Sequence, residues 1–65
     1  MKLELDIEQI DKWLKMTERS RSWLGRQLAM SPASMYYIWN VKPISQAEKI
    51  ALIMGIEPKA LIKQS

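Results

Sequence analysis

The chain contains no cysteine and no histidine among its 65 residues. Without thiols there is no disulfide framework and no thiolate metal cage, a composition that suits a reducing compartment. Without imidazole, neither a Ser-His-Asp triad nor an ordinary zinc site can be assembled, so no cofactor and no enzymatic activity are expected. Phenylalanine is also missing, and there are only two glycines. No apolar run approaches the roughly 20 residues that a bilayer span needs. The opening alternation Lys2-Leu3-Glu4-Leu5-Asp6 does not read as the apolar core of an export signal. These absences lead to the expectation of a soluble cytoplasmic protein with no membrane partner. The length leaves room for a single domain, 1–65, with one small core.

What is present centres on Arg21 to Asn40, R-S-W-L-G-R-Q-L-A-M-S-P-A-S-M-Y-Y-I-W-N. Leu24 and Leu28 lie four apart, which gives the segment Ser22–Leu28 one apolar helical side, with Arg21, Arg26 and Gln27 facing elsewhere. Ser31-Pro32 then restarts a helix. The hydroxyl can accept an orphan amide, and proline at the first helical position loses no hydrogen bond there. In this second helix Met35 and Ile38 are expected inward, and Pro32, Ala33, Tyr36 and Tyr37 outward. Two short helices joined by a turn of about three residues make a helix-turn-helix.

Charge supports the same focus. The net charge is only +3. Residues 1–11, however, set Lys2 against Glu4, Asp6, Glu8 and Asp11, whereas residues 12–42 set Lys12, Lys15, Arg19, Arg21, Arg26 and Lys42 against Glu18 alone. Cations concentrated around the two-helix stretch are what a phosphate-facing surface requires, although a solvated basic face carries the same pattern.

Along the rest of the chain, Met1–Leu5 suggests an extended segment. Asp6 and Gln9 are spaced as a capping box, with Leu5 and Ile10 as a hydrophobic staple. A first helix should run from Ile7 to about Met16, burying Ile7, Ile10 and Leu14 with Trp13 beside them. Glu8, Asp11, Lys12 and Lys15 fall on its solvated side. Thr17–Ser20 is a polar connector. After the motif, Asn40-Val41-Lys42-Pro43 breaks the helical pattern. Ser45-Gln46-Ala47-Glu48 reads as a second capping box. It opens a fourth helix whose inward stripe is Ala47, Ile50, Ala51 and Met54, with Ile53 adding width and Gly55 ending it. Glu57-Pro58 opens a last helix to about Lys63. The expectation is all-α: five short helices in one domain.

Together these residues resemble the phage-repressor helix-turn-helix domains, lambda-repressor-like and Cro-like, over residues 6 to 63. Leu24, Leu28, Met30, Met35 and Ile38 match the inward positions of that family's motif, and Ser31 matches its second cap. Ile50 to Ile62, I-A-L-I-M-G-I-E-P-K-A-L-I, is similar to the family's fourth helix, glycine stop and closing helix. The chain departs from the pattern in three places. Gly25 stands where a small alanine is usual, and Ala29 stands at the turn glycine, a position that wants positive φ. An ungapped alignment also puts Leu14 and Trp39 where the family often pairs an arginine with a glutamate. A contact between Leu14 and Trp39 is therefore expected.

The resemblance implies a compact five-helix domain that binds operator DNA as a homodimer and represses transcription, in a bacterial cell or phage-infected host. It places base reading on Ser31, Pro32, Ala33, Tyr36 and Tyr37, with Ser34 added if it faces outward. It places phosphate contacts on Arg21 and Asn40; Arg26 and Lys42, nearby, are further candidates. Proline and alanine offer only apolar contact to base edges. Discrimination thus falls to the hydroxyls and to DNA shape. Dimerisation should use the apolar end Ile56–Ile62, or else Leu3–Leu5. No small-molecule pocket is evident. A second reading comes from the same hydrogen-bond poverty. The Pro-Ala-Met-Tyr-Tyr surface with Trp23 and Trp39 suits a protein-binding adaptor or inhibitor, since aromatics and methionine are enriched at interface cores.

Overall fold

The computed structural model describes residues 2–64. Met1, which the sequence places in the extended segment, lies outside the described residues. Four α-helices and a two-stranded antiparallel sheet make up the fold, in the order β1 (Leu3–Leu5), α1 (Ile7–Met16), α2 (Arg21–Gln27), α3 (Pro32–Val41), α4 (Ala47–Met54) and β2 (Ile62–Gln64). Short 3-10 turns occupy Ile44–Gln46 and Pro58–Leu61.

The helix starts follow from their caps. Asp6 accepts the Gln9 amide at 3.2 Å ahead of α1. Its own amide does not complete a capping box, because it is given to the Leu61 carbonyl at 2.7 Å. Ser20 accepts the Trp23 amide at 3.1 Å and starts α2. Ser31 accepts the Ser34 amide at 3.3 Å and starts α3, with Pro32 in the first turn. Each cap satisfies one of the donors that a helix N-terminus leaves unpaired. The expected box at Ser45 does not form. Ile44–Gln46 is a 3-10 turn that feeds α4 without any side-chain cap. Gly55, at φ 75°, closes α4 in the left-handed region as its position suggested.

The expected five-helix, all-α architecture is corrected at the C-terminal end. Only Pro58–Leu61 turns, as a 3-10 segment, and the chain then becomes a strand that pairs Leu5 with Ile62, Glu4 with Lys63 and Leu3 with Gln64. The physical reason is the partner. Leu3–Leu5 presents an extended backbone beside the chain's far end, and a strand pair satisfies both backbones where a single helical turn would leave orphan carbonyls. Leu5 and Leu61 are fully buried, so the sheet sits over the core rather than beside it. The Leu5 amide also bonds the Lys42 carbonyl at 3.0 Å, tying β1 to the end of α3.

The core is one cluster: Leu5, Ile7, Ile10, Leu14, Leu24, Met35, Ile38, Ala47, Ile50, Ala51 and Leu61. Leu28, Met30, Ile53 and Met54 pack on it only partly buried. Among the described residues, no helix is long and apolar enough to cross a membrane.

Candidate nucleic-acid interface

α2 and α3 are fastened to each other by an unusual pairing of a small and a large residue. A Cβ built on Gly25 would lie 2.9 Å from the Met35 Cγ, inside van der Waals contact. The missing methyl group is thus what lets Met35 fill the space between the helices. The turn that follows is closed by Met30, whose amide bonds the Gly25 carbonyl at 2.9 Å, and Ala29 takes φ 55°. The left-handed turn position expected from the sequence is therefore occupied by alanine, with the strain that a Cβ brings there.

With Met35 and Ile38 anchored inward, the opposite side of α3 is open. Ser31, Pro32, Ala33, Ser34, Tyr36, Tyr37 and Asn40 are all exposed, Tyr36 to 74%. Some of their polar groups already have internal partners. Ser31 and Ser34 share a hydroxyl hydrogen bond at 3.2 Å, and the Asn40 side-chain amide donates to the Tyr36 carbonyl at 2.7 Å. Hydroxyl and amide rotors on an exposed helix exchange such bonds cheaply, so these groups keep their capacity to meet a base edge.

Between α2 and α3 lies a cleft of about 770 Å³. Arg21, Ser22 and Arg26 form its α2 wall, and Pro32, Tyr36, Trp39 and Asn40 its α3 wall, with Gly25, Met30 and Met35 also lining it. The cleft brings together two of the four expected phosphate-holding residues, Arg21 and Arg26, with the third, Asn40. Two expected base-reading residues, Pro32 and Tyr36, join them. Ser31, Ala33, Ser34, Tyr37 and Lys42 do not line it. Lys42 is half-buried at the end of α3, in the left-handed region at φ 56°.

Asp11 is the residue whose role the sequence missed. Placed by pattern on the solvated side of α1, it keeps a side chain 37% exposed but also joins α1 to α2 and α3. Arg21 grips its carboxylate with two bonds, Nε to Oδ1 at 3.0 Å and Nη2 to Oδ2 at 2.8 Å. The Trp39 indole Nε1 donates to both oxygens at 3.2 Å, and the Arg21 guanidinium lies 4.8 Å from the Trp39 ring centroid. Burial pushes the Asp11 carboxyl up, but the Arg21 hydrogen bonds, the Trp39 N–H and the Arg21 charge together outweigh it and hold the group below its ordinary 3.8. Leu14 is buried in the core on which Trp39 packs, and the hydrogen-bonded tie from α1 to Trp39 runs through Asp11. Arg21–Asp11 is the one ion pair among the described residues. Arg26 is therefore the cleft cation without a carboxylate.

A second aromatic group lies at the α1–α2 corner. Trp13 and Trp23 are tilted at 6.0 Å, and the Arg19 guanidinium sits 4.3 Å from the Trp23 ring and 5.4 Å from the Trp13 ring. Both indoles are half-buried, so this stack braces the connector. Elsewhere Tyr37 and Val41, one turn apart on α3, and Ile44 in the 3-10 turn that follows are exposed at 50%, 52% and 42%.

No protein-family model, curated protein or solved structure matches this chain.

Proposed function

We propose that the chain is a sequence-specific double-stranded DNA-binding regulator, a binding protein rather than an enzyme, of the lambda-repressor-like or Cro-like kind. The observation that carries this reading is the exposed face of α3, anchored from behind by Met35 and Ile38 and bordered on one side by a cleft with two arginines. A helix of ten residues with one face free fits the major groove. Arg26, Arg21 and Asn40, which line the cleft beside that face, hold the phosphate strand in this reading. Ser31, Ala33, Ser34 and Tyr37, with Pro32 and Tyr36, meet the bases. Binding as a homodimer follows from how few base pairs one helix covers, two-fold partners placing their helices roughly 34 Å apart.

Selection of bound duplexes from a random DNA pool tests the reading. It predicts an enriched, palindromic sequence whose retention falls steeply with salt, because binding releases counterions. Recovery of unenriched DNA, or of none, overturns it.

One observation favours the adaptor reading instead: Tyr37, Val41 and Ile44 are large apolar residues left exposed, of the kind found at interface cores. If they are the functional residues, Val41→Asp abolishes a polypeptide complex and leaves duplex retention unchanged.

A further inference from the structure

Arg21 borders the cleft, but two of its five N–H donors, the Nε and one on Nη2, are already committed to Asp11. A carboxylate gripped side-on by a guanidinium occupies the same fork that a phosphate would take. We propose that Asp11 is an internal competitor for phosphate at Arg21, a latch that withholds this cation from DNA until a backbone phosphate displaces the carboxylate. The inference rests on the DNA-binding reading above and concerns the regulation of that same site.

Three features make the pair exchangeable rather than permanent. Its side chains are 58% and 37% exposed, so it is a surface pair of small net stability. Asp11 does not become unpartnered when Arg21 leaves, because Trp39 Nε1 continues to donate to both of its oxygens. The Trp39 ring face, 4.8 Å from the guanidinium, gives Arg21 a surface on which to pivot toward the cleft without losing its cation–π partner. The latch lowers the attraction for any duplex by the small cost of breaking the pair, whatever its sequence.

The test is a double-mutant cycle read as salt dependence. Wild type, Asp11→Asn, Arg21→Gln and the double variant are each titrated with a random-sequence duplex across salt. Circular dichroism checks that every variant is folded. Asparagine keeps an oxygen for the Trp39 N–H while removing the charge that holds Arg21. Asp11→Asn should bind up to about fivefold tighter at about 0.1 M salt than wild type, the worth of a surface pair that no longer has to be broken, converge with it near 1 M, and so steepen the log–log slope. In the Arg21→Gln background that gain should vanish. An equal gain in both backgrounds means simple long-range charge and overturns the latch. Weaker binding by folded Asp11→Asn means that Asp11 aims Arg21 at phosphate, and overturns it as well. Wild-type binding with no change in Asp11→Asn removes the latch alone, whereas no duplex binding by any of the four variants removes the DNA reading and the latch with it. On wild type itself, the NMR signal of the Arg21 Nε–H should shift as the duplex saturates. A signal that stays fixed at saturation overturns the proposal without any substitution.

Discussion

Ala29 occupies a backbone position that a glycine would hold at less cost, at φ 55°. Replacing it with glycine removes the Cβ clash and adds unfolded-state entropy, and the first effect is the larger. Ala29→Gly should therefore raise stability by about 0.5–1 kcal/mol in urea unfolding. Gly25 shows the opposite sign at a helical site. Alanine in a helix interior ordinarily gains about 1 kcal/mol over glycine, but here the new methyl group meets the Met35 Cγ at 2.9 Å. Gly25→Ala should lose that gain and destabilise, and Gly25→Ala combined with Met35→Val should recover it; thermal melts of the three variants decide. Asp11 gives a pH signature. Its folded carboxyl lies below the unfolded 3.8, so its contribution is fully present above that value and is lost as pH falls through the lower, folded one. Given the exposure of the pair, that contribution is about 0–1 kcal/mol. The urea midpoints of wild type and Asp11→Asn should differ at neutral pH and converge in strong acid. Neither Asp11 contact was legible beforehand. Trp39 lies 28 residues away, and helical periodicity assigns a polar residue to solvent without naming a distant indole that needs an acceptor.

Local chemistry decided most of the elements, and the failures share a cause. Asp6, Ser20 and Ser31 cap three helices because a cap needs only a side-chain oxygen and an amide three residues on. Ser45 offered the same spacing, yet the chain spends Ile44–Gln46 on a 3-10 turn after Pro43 and α4 begins one residue late. Ile62 and Lys63 were the larger miss. Leu61-Ile62 reads as the apolar side of a last helical turn, and only pairing with a strand some sixty positions earlier makes the chain extended from Ile62. On α3 the outward positions were legible because Met35 and Ile38 fix the phase. The cleft was not, since it depends on how α2 lies against α3. That division between outward face and cleft separates two outcomes for DNA binding. Tyr37→Ala, away from the cleft, should lose preference for the selected sequence while non-specific retention stays. Arg26→Ala, at the cleft wall without a carboxylate partner, should weaken all duplexes alike and flatten the log–log salt slope by about 0.9. Uniform loss in Tyr37→Ala would remove it from the base-reading set.

For a molecule of this size the core has little to spare. Leu61 is fully buried beside Leu5, and Leu61→Ala should cost about 2–5 kcal/mol. That is comparable with the whole stability of a small domain, about 3–10 kcal/mol at this length. Calorimetry should show the transition lowered steeply or gone, and a melt shifted by only a degree or two would mean that the end of the chain is not part of the core. The same burial bears on assembly. Ile56–Ile62, the first expected dimer surface, gives Leu61 to the interior and leaves Ile56 and Ile62 half-buried. Shortening the chain there would unfold it rather than isolate a monomer, so the oligomeric state is better read by sedimentation of Leu3→Asp and Val41→Asp, both at exposed positions. The pairing of β1 with β2 also has a mechanical meaning. The outermost pair, Leu3 with Gln64, joins the two ends of the described chain, and the ladder's hydrogen bonds lie across the strands. Tension applied at both ends would load those bonds one after another, like a zipper opened from its tab. Three residues in, it would reach Leu5 and Leu61 and draw the core open. The domain should therefore yield to small pulling forces, whatever its resistance to heat.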